Sequence, residues 1–199
     1  MDTDDRLAAD LAHDLDRSFE ALVVAHQDRL YTIALRMLGD PRDAEEASQD
    51  AFVRAYRALA TYDATRIREM RLRGWLTTIV LNLCRTRGVR RAGQGAPPIS
   101  LDVEGAPTIE PSAARTEAPP EVAERHAERE RWSGRLAELP PVYRAAVVLR
   151  HVDGLSYPEA AAALGRPEGT VKAQVHRGIA LLRTMLEADA RNELEEMTA

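Results

Sequence analysis

Apolar residues recur at intervals of three and four from position 19 onward: Phe19, Leu22, Val23, Leu30, Ile33, Ala34, Met37 and Leu38, with His26 in register. That spacing keeps one side of a helix turned toward a core. Gly39-Asp40-Pro41 ends the run, because glycine closes a helix and proline fits the first turn of the next. A second helix is predicted from Pro41 to about position 59, with Ala44, Ala47, Ala51, Phe52, Ala55, Tyr56 and Leu59 turned inward. A third is predicted over residues 73–91, with Trp75, Leu76, Ile79, Val80 and Leu83 on its inner face. The periodicity then stops. Residues 92–125 hold Pro97, Pro98, Pro107, Pro111, Pro119 and Pro120 among small and acidic residues, which reads as a linker. Helical spacing returns up to Leu139, breaks at Pro140-Pro141 and resumes over residues 142–151. No stretch alternates as a strand does. The expected fold class is therefore all-α, with two small helical domains joined by a Pro-rich acidic linker. The boundaries read as an acidic, frayed extension over 1–17, a bundle over 18–91, the linker over 92–125, a second domain over 126–187 and an acidic tail over 188–199.

The sharpest local signal lies in GLSYPEAAAALGRPEGTVKAQVHRGIALLR, residues 154–183. Ser156 followed by Glu159 is a capping box, in which hydroxyl and carboxylate each satisfy a backbone N–H. Gly165 closes that helix, and Arg166-Pro167-Glu168-Gly169 opens another. Val171, Val175, Ile179 and Leu182 share one face, while Thr170, Lys172, Gln174, His176 and Arg177 lie on the other. Two short helices with this turn form a helix-turn-helix, whose second helix enters the major groove of DNA.

Net charge is −5, which argues against a DNA binder until it is resolved along the chain. Residues 64–91 carry Arg66, Arg68, Arg71, Arg73, Arg85, Arg87, Arg90 and Arg91 against Glu69 alone. Both ends and the linker are acidic, so the phosphate-attracting surface is local. The lone Cys84 excludes a disulfide framework, and the five histidines are scattered without a metal-ligand spacing. No metal, no cofactor and no catalytic residue are expected. No apolar run approaches the ~18 residues of a membrane span, and the N-terminus lacks a signal-peptide pattern, so a cytoplasmic location and no membrane insertion are expected.

Two further constellations carry chemistry. Asp43, Glu46 and Asp50 line one side of the second helix with Gln49 and Phe52 beside them, an acidic patch on the domain that also holds the arginines. Such a domain can grip DNA and a basic protein together. On the third helix Asn82 can pair with an adenine edge, Arg85, Arg87, Arg90 and Arg91 can pair with phosphates, and Tyr62 and Trp75 offer faces for an unpaired base.

The order DAEEASQDAFVRAYRAL, RGWLTTIVLNLCRTRGVRR, a Pro-rich linker, then LAELPPVYRAAVVLRHVDGLSYPEAAAALGRPEGTVKAQVHRGIALLR resembles the ECF sigma factors of bacterial RNA polymerase over about residues 18–187. The resemblance implies a sigma-two and a sigma-four domain and a protein that binds core polymerase and directs promoter-specific initiation. It implies docking on a coiled coil of the largest catalytic subunit through Asp43, Glu46, Gln49, Asp50 and Phe52. It implies opening and reading of the −10 element through Tyr62, Arg71, Arg73, Trp75, Asn82, Arg85, Arg87, Arg90 and Arg91. Reading of the −35 element falls to Glu168, Gly169, Thr170, Lys172, Ala173, Gln174, His176 and Arg177. An anti-sigma factor is an implied partner. The resemblance also implies that the two elements lie two helical turns apart, about 70 Å at ~34 Å per turn. Thr77-Thr78, Leu81, Thr86 and Ala173-Gln174 depart from residues common in the family, which bears on promoter sequence. A stand-alone helix-turn-helix regulator with a sensory or dimerising bundle is the other reading, and it would bind duplex DNA unaided at paired half-sites.

Overall fold

The computed structural model describes residues 3–93, 132 and 134–196. Among these every element is helical. The linker expected over 92–125 lies outside the described residues except for its first two, which continue a helix.

The first departure is at the N-terminus. Instead of a frayed extension, α1 runs Thr3–His13, because Leu7, Ala8 and Leu11 share one face and are buried. That face packs on α2, Leu15–Leu38, and on the short α4, Ala64–Arg68. Asp14 caps α2 by accepting from the Arg17 N–H at 3.1 Å. Gly39 closes α2 at φ +73°, donating to the Leu35 carbonyl. Asp40 then caps α3, Pro41–Leu59, accepting from the N–H groups of Arg42 and Asp43 at 2.9 and 3.0 Å. Ala44, Ala47, Ala51 and Ala55 are fully buried, and these small side chains form much of the face that α3 turns to the core. Tyr56 is the exception on that face: it is 38% exposed, donating to Asp16 at 2.5 Å and meeting Phe19 edge-on at 5.1 Å. The third long helix, α5, spans Leu72–Gly93 and buries Leu72, Leu76, Val80, Leu81, Leu83 and Cys84 against α2 and α3. Trp75 and Ile79 are only half-buried.

In the second domain residues 134–138 are helical, with Leu136 and Leu139 buried, and after the break at Pro140 α6 runs Pro141–Val147. The regular helix expected to reach His151 does not; Val148–Val152 is a π turn. The Asp153 N–H bonds the Val148 carbonyl at 2.9 Å, five residues back, and Gly154 at φ +71° reverses the chain. The helix-turn-helix follows as α7, Tyr157–Leu164, and α8, Glu168–Glu196. Both halves of the Ser156 capping box form: Ser156 donates its N–H to Glu159 Oε2 at 2.8 Å, and its hydroxyl accepts from the Glu159 N–H at 3.4 Å. The Ser156 hydroxyl also donates to Oε2 at 2.5 Å, and this bond first, with the Ser156 N–H second, holds the Glu159 carboxyl below its ordinary range. Gly165 takes φ +62° at the turn. The tail expected from residue 188 is in fact the continuation of α8.

Close packing of α8 on α6 depends on Gly178, where an added Cβ would meet Val147 Cγ2 at 2.6 Å and Tyr143 Cβ at 3.4 Å. Val147 is stiff at χ1 and buried, so it cannot easily give way. Gly178→Ala is expected to destabilise the domain by about 1–2 kcal/mol, overpacking outweighing the gain in helix propensity. Gly88→Ala, with nothing within 4 Å of the new Cβ, is expected to stabilise by about 0.5–1 kcal/mol. Thermal or denaturant melts of the two variants should shift in opposite directions; equal gains would refute the α6–α8 contact.

Candidate nucleic-acid interface

On α8 the inner face is Val171, Val175 and Leu182, at 0, 2 and 4% exposure, with Ile179 half-buried. Gly169, Thr170, Lys172, Ala173, His176 and Arg177 are exposed together on the other side. Lys172 pairs with Glu168 at 2.7 Å, one turn apart, which raises the ammonium pKa and holds it charged. Gln174 departs from expectation. It is 8% exposed and lines a cleft between the domains, with Oε1 unpartnered, so it does not belong to the outward face. Its position three residues after Val171 and one before Val175 puts it on the inner edge of the helix.

On the first domain, Trp75, Thr78, Asn82 and Arg85 follow one another at spacings of three or four and so form one stripe along α5. Arg71 precedes the stripe in the same register. At its upper end the Tyr62 and Trp75 rings are 6.3 Å apart and tilted by 58°, and the Arg66 guanidinium lies 3.7 Å over the Tyr62 ring. Farther along, Arg85 donates to Asn82 Oδ1 at 3.2 Å, which leaves the Asn82 amide nitrogen and the remaining guanidinium donors facing outward. The side chains of Arg90 and Arg91 lie outside the described residues.

Arg87 does not join this stripe. It donates to Asp50 at 2.8 Å and lies 3.7 Å from Glu46, and is itself 20% exposed. It therefore belongs to the acidic patch of α3, where it partly offsets the charge. Glu46, Gln49 and Asp50 stand exposed on that patch, with Asp43 half-buried beside them. Phe52, expected at its edge, is 9% exposed and is core.

The two domains touch. The π turn and α6 lie on α2, and α7 lies on α5. Asp153 is gripped by Arg29, with Nε on Oδ1 and Nη2 on Oδ2, both at 2.6 Å. Arg73 donates to the Asp153 carbonyl and lies 3.5 Å from Oδ1. Arg144 donates to the Met37 carbonyl at 2.6 Å. Cys84 sits on the floor of the cleft that Gln174 lines; burial pushes its thiol up to about 12, so it stays protonated and unreactive. Among the described residues no cluster of His, Cys, Asp or Glu could hold a metal ion, and no helix is long and apolar enough to cross a membrane.

Residues 22–93 match the family Sigma-70 region 2, and residues 129–182 match Sigma-70, region 4. The ECF RNA polymerase sigma factor SigE of Mycolicibacterium smegmatis is 34% identical over 169 residues, covering 85% of this chain and 62% of SigE. The RNA polymerase sigma factor CnrH of Cupriavidus metallidurans is 37% identical over 197 residues, covering 95% of this chain and 97% of CnrH. The solved structure of CnrH in complex with the cytosolic domain of CnrY superposes with a TM-score of 0.68 at 29% identity, covering 94% of this chain and 99% of that one. The chain belongs to the ECF sigma factors of RNA polymerase. This favours a promoter-specificity factor over a stand-alone regulator.

Within this sigma factor the residues that sequence reasoning missed are Arg29 and Asp153. They lie 124 positions apart, on two elements with no local signal of contact. Arg29 sits on a helix read only for its apolar stripe, and Asp153 in a turn read only as a connection.

Proposed function

We propose that this sigma factor docks on core RNA polymerase through the acidic patch of α3, reads and opens the −10 element along α5, and reads the −35 element with α8. It carries out no chemical step of its own and acts in the cytoplasm. The observation that supports this reading is that each domain carries its own set of exposed polar and cationic side chains, Asn82 and Arg85 on α5 and Thr170, Lys172, His176 and Arg177 on α8. The α5 stripe combines flat rings, an amide and guanidiniums, the set suited to an unpaired strand. The α8 face offers Thr170, Lys172, His176 and Arg177 at the spacing of a groove-reading helix. The division follows the residues: the bundle, from α1 through α5, is the sigma-two domain, and α6 through α8 form the sigma-four domain. The Pro-rich stretch between them is the linker that spans polymerase. CnrH is solved with the cytosolic domain of CnrY, and by extension this chain takes a regulatory protein partner of the anti-sigma kind.

Lys172→Ala and Arg177→Ala test the −35 assignment. Each is expected to weaken binding of the polymerase holoenzyme to promoter duplex and to lower the salt slope by about one unit for each lost phosphate contact. Titration at several salt concentrations reads the slope, and an unchanged slope would remove these side chains from the DNA.

A further inference from the structure

Asp153 is an anion fully withdrawn from water, its side chain 1% exposed, and everything that holds it comes from the other domain. Arg29 presents a two-pronged fork to both carboxylate oxygens, the arrangement a guanidinium equally offers to two oxygens of a phosphodiester. The fork is fixed in place, because Arg29 also donates to Thr77 Oγ1 at 2.5 Å and to the Arg73 carbonyl at 3.3 Å. Thr77 is fully buried and donates in turn to the Arg73 carbonyl at 2.8 Å. Arg73, the second guanidinium on Asp153, stands at the start of α5 beside the stripe proposed for the −10 strand. A cleft of about 880 Å³ there has Arg71, Arg73 and Trp75 on one side and Pro158 and Glu159 of the second domain on the other, with the carboxylates of Asp4, Asp5 and Glu69 at its margin and the fork of Arg29 outside it. The start of the α5 surface proposed for DNA thus faces the other domain, so a strand laid along it requires the domains to separate.

We propose that Arg29 and Arg73 form a site for a backbone phosphate of the −10 strand, and that Asp153 occupies this site while the domains are closed. Promoter DNA and closure then compete for the same two guanidiniums. Closure holds because a desolvated carboxylate keeps its partners or returns to water. Separation hands a ready anion site to the strand at the moment the stripe on α5 is uncovered. The proposal rests on the assignment of α5 to the −10 element, but closure itself is readable without DNA or polymerase.

The test uses the full chain, small-angle scattering for the separation of the domains, and a fluorescent oligo(dT) strand as a source of phosphates without promoter sequence. Asp153→Asn is expected to enlarge the radius of gyration and to tighten oligo(dT) binding about tenfold, by removing the closed population. Adding Arg29→Gln to Asp153→Asn should leave the chain extended but weaken the strand again and reduce the salt slope by about 0.7, one phosphate on a single strand. Thermal melts check that each variant is folded, and Arg73→Gln supplies a second opening variant for the scattering. An unchanged radius and affinity in Asp153→Asn and an unchanged radius in Arg73→Gln would overturn the latch. An open Asp153→Asn chain whose affinity and salt slope do not depend on Arg29 would overturn the phosphate site. An open chain that binds no strand in any variant would overturn the reading of α5 instead.

Discussion

Glu46→Arg combined with Asp50→Arg is expected to abolish binding to core RNA polymerase and leave the sigma factor folded. Both side chains project from α3 into solvent, at 68 and 51% exposure, so neither supports the core. Their ties to Arg87 are surface pairs, and losing them should cost no more than about 1 kcal/mol of stability. The interface is a different matter. Reversing two charges against a basic partner replaces attraction by repulsion, and charge pairs at such contacts are each worth several kcal/mol when truncated. The new arginines would also confront Arg87 at the same spot. An affinity loss of at least about 100-fold, near 3 kcal/mol, is the expectation in a titration with labelled protein. Affinity within twofold of the parent would remove α3 from the polymerase contact.

Val175→Asp is expected to unfold the sigma-four domain. Val175 is 2% exposed and stands with Val171 and Leu182 on the face that α8 turns toward α6 and α7. The substitution forfeits about 2 kcal/mol of apolar burial and places a carboxylate on a face withdrawn from water. Together these reach about 4–5 kcal/mol, comparable with the whole stability of a domain this small. Loss of hydrogen-exchange protection over α7 and α8, with α2 and α3 still protected, is the expected pattern. A native-like melt would show that the register of α8 is wrong.

The parts of this molecule that were legible in advance are those written in adjacent residues. The stops at Gly39 and Gly165, the start at Pro41 and the capping box at Ser156 each need only a turn's length of sequence, and each forms as read. The alanine face of α3 announced itself by spacing. The α1 helix was missed because Asp2, Asp4, Asp5 and Asp10 dominate the segment, while its three apolar positions find their partner, α4, more than fifty residues away. Arg87 was misplaced for a similar reason: its charge suits DNA, but its neighbour in space is Asp50 on another helix. Gln174 was read by its polarity when its phase along α8 put it inside. Phe52 was read both ways, and burial decides for the core. The grip of Arg29 on Asp153 had no signal at all, since it arises only when two domains meet.

Run-off transcription shows whether this chain confers promoter specificity on RNA polymerase. Purified core polymerase is given a library of promoter fragments with and without the protein. Start sites that appear only when both are present, preceded by a common pair of elements two helical turns apart, are the predicted result. No new transcripts, together with tight binding of the free protein to duplex DNA, would contradict it.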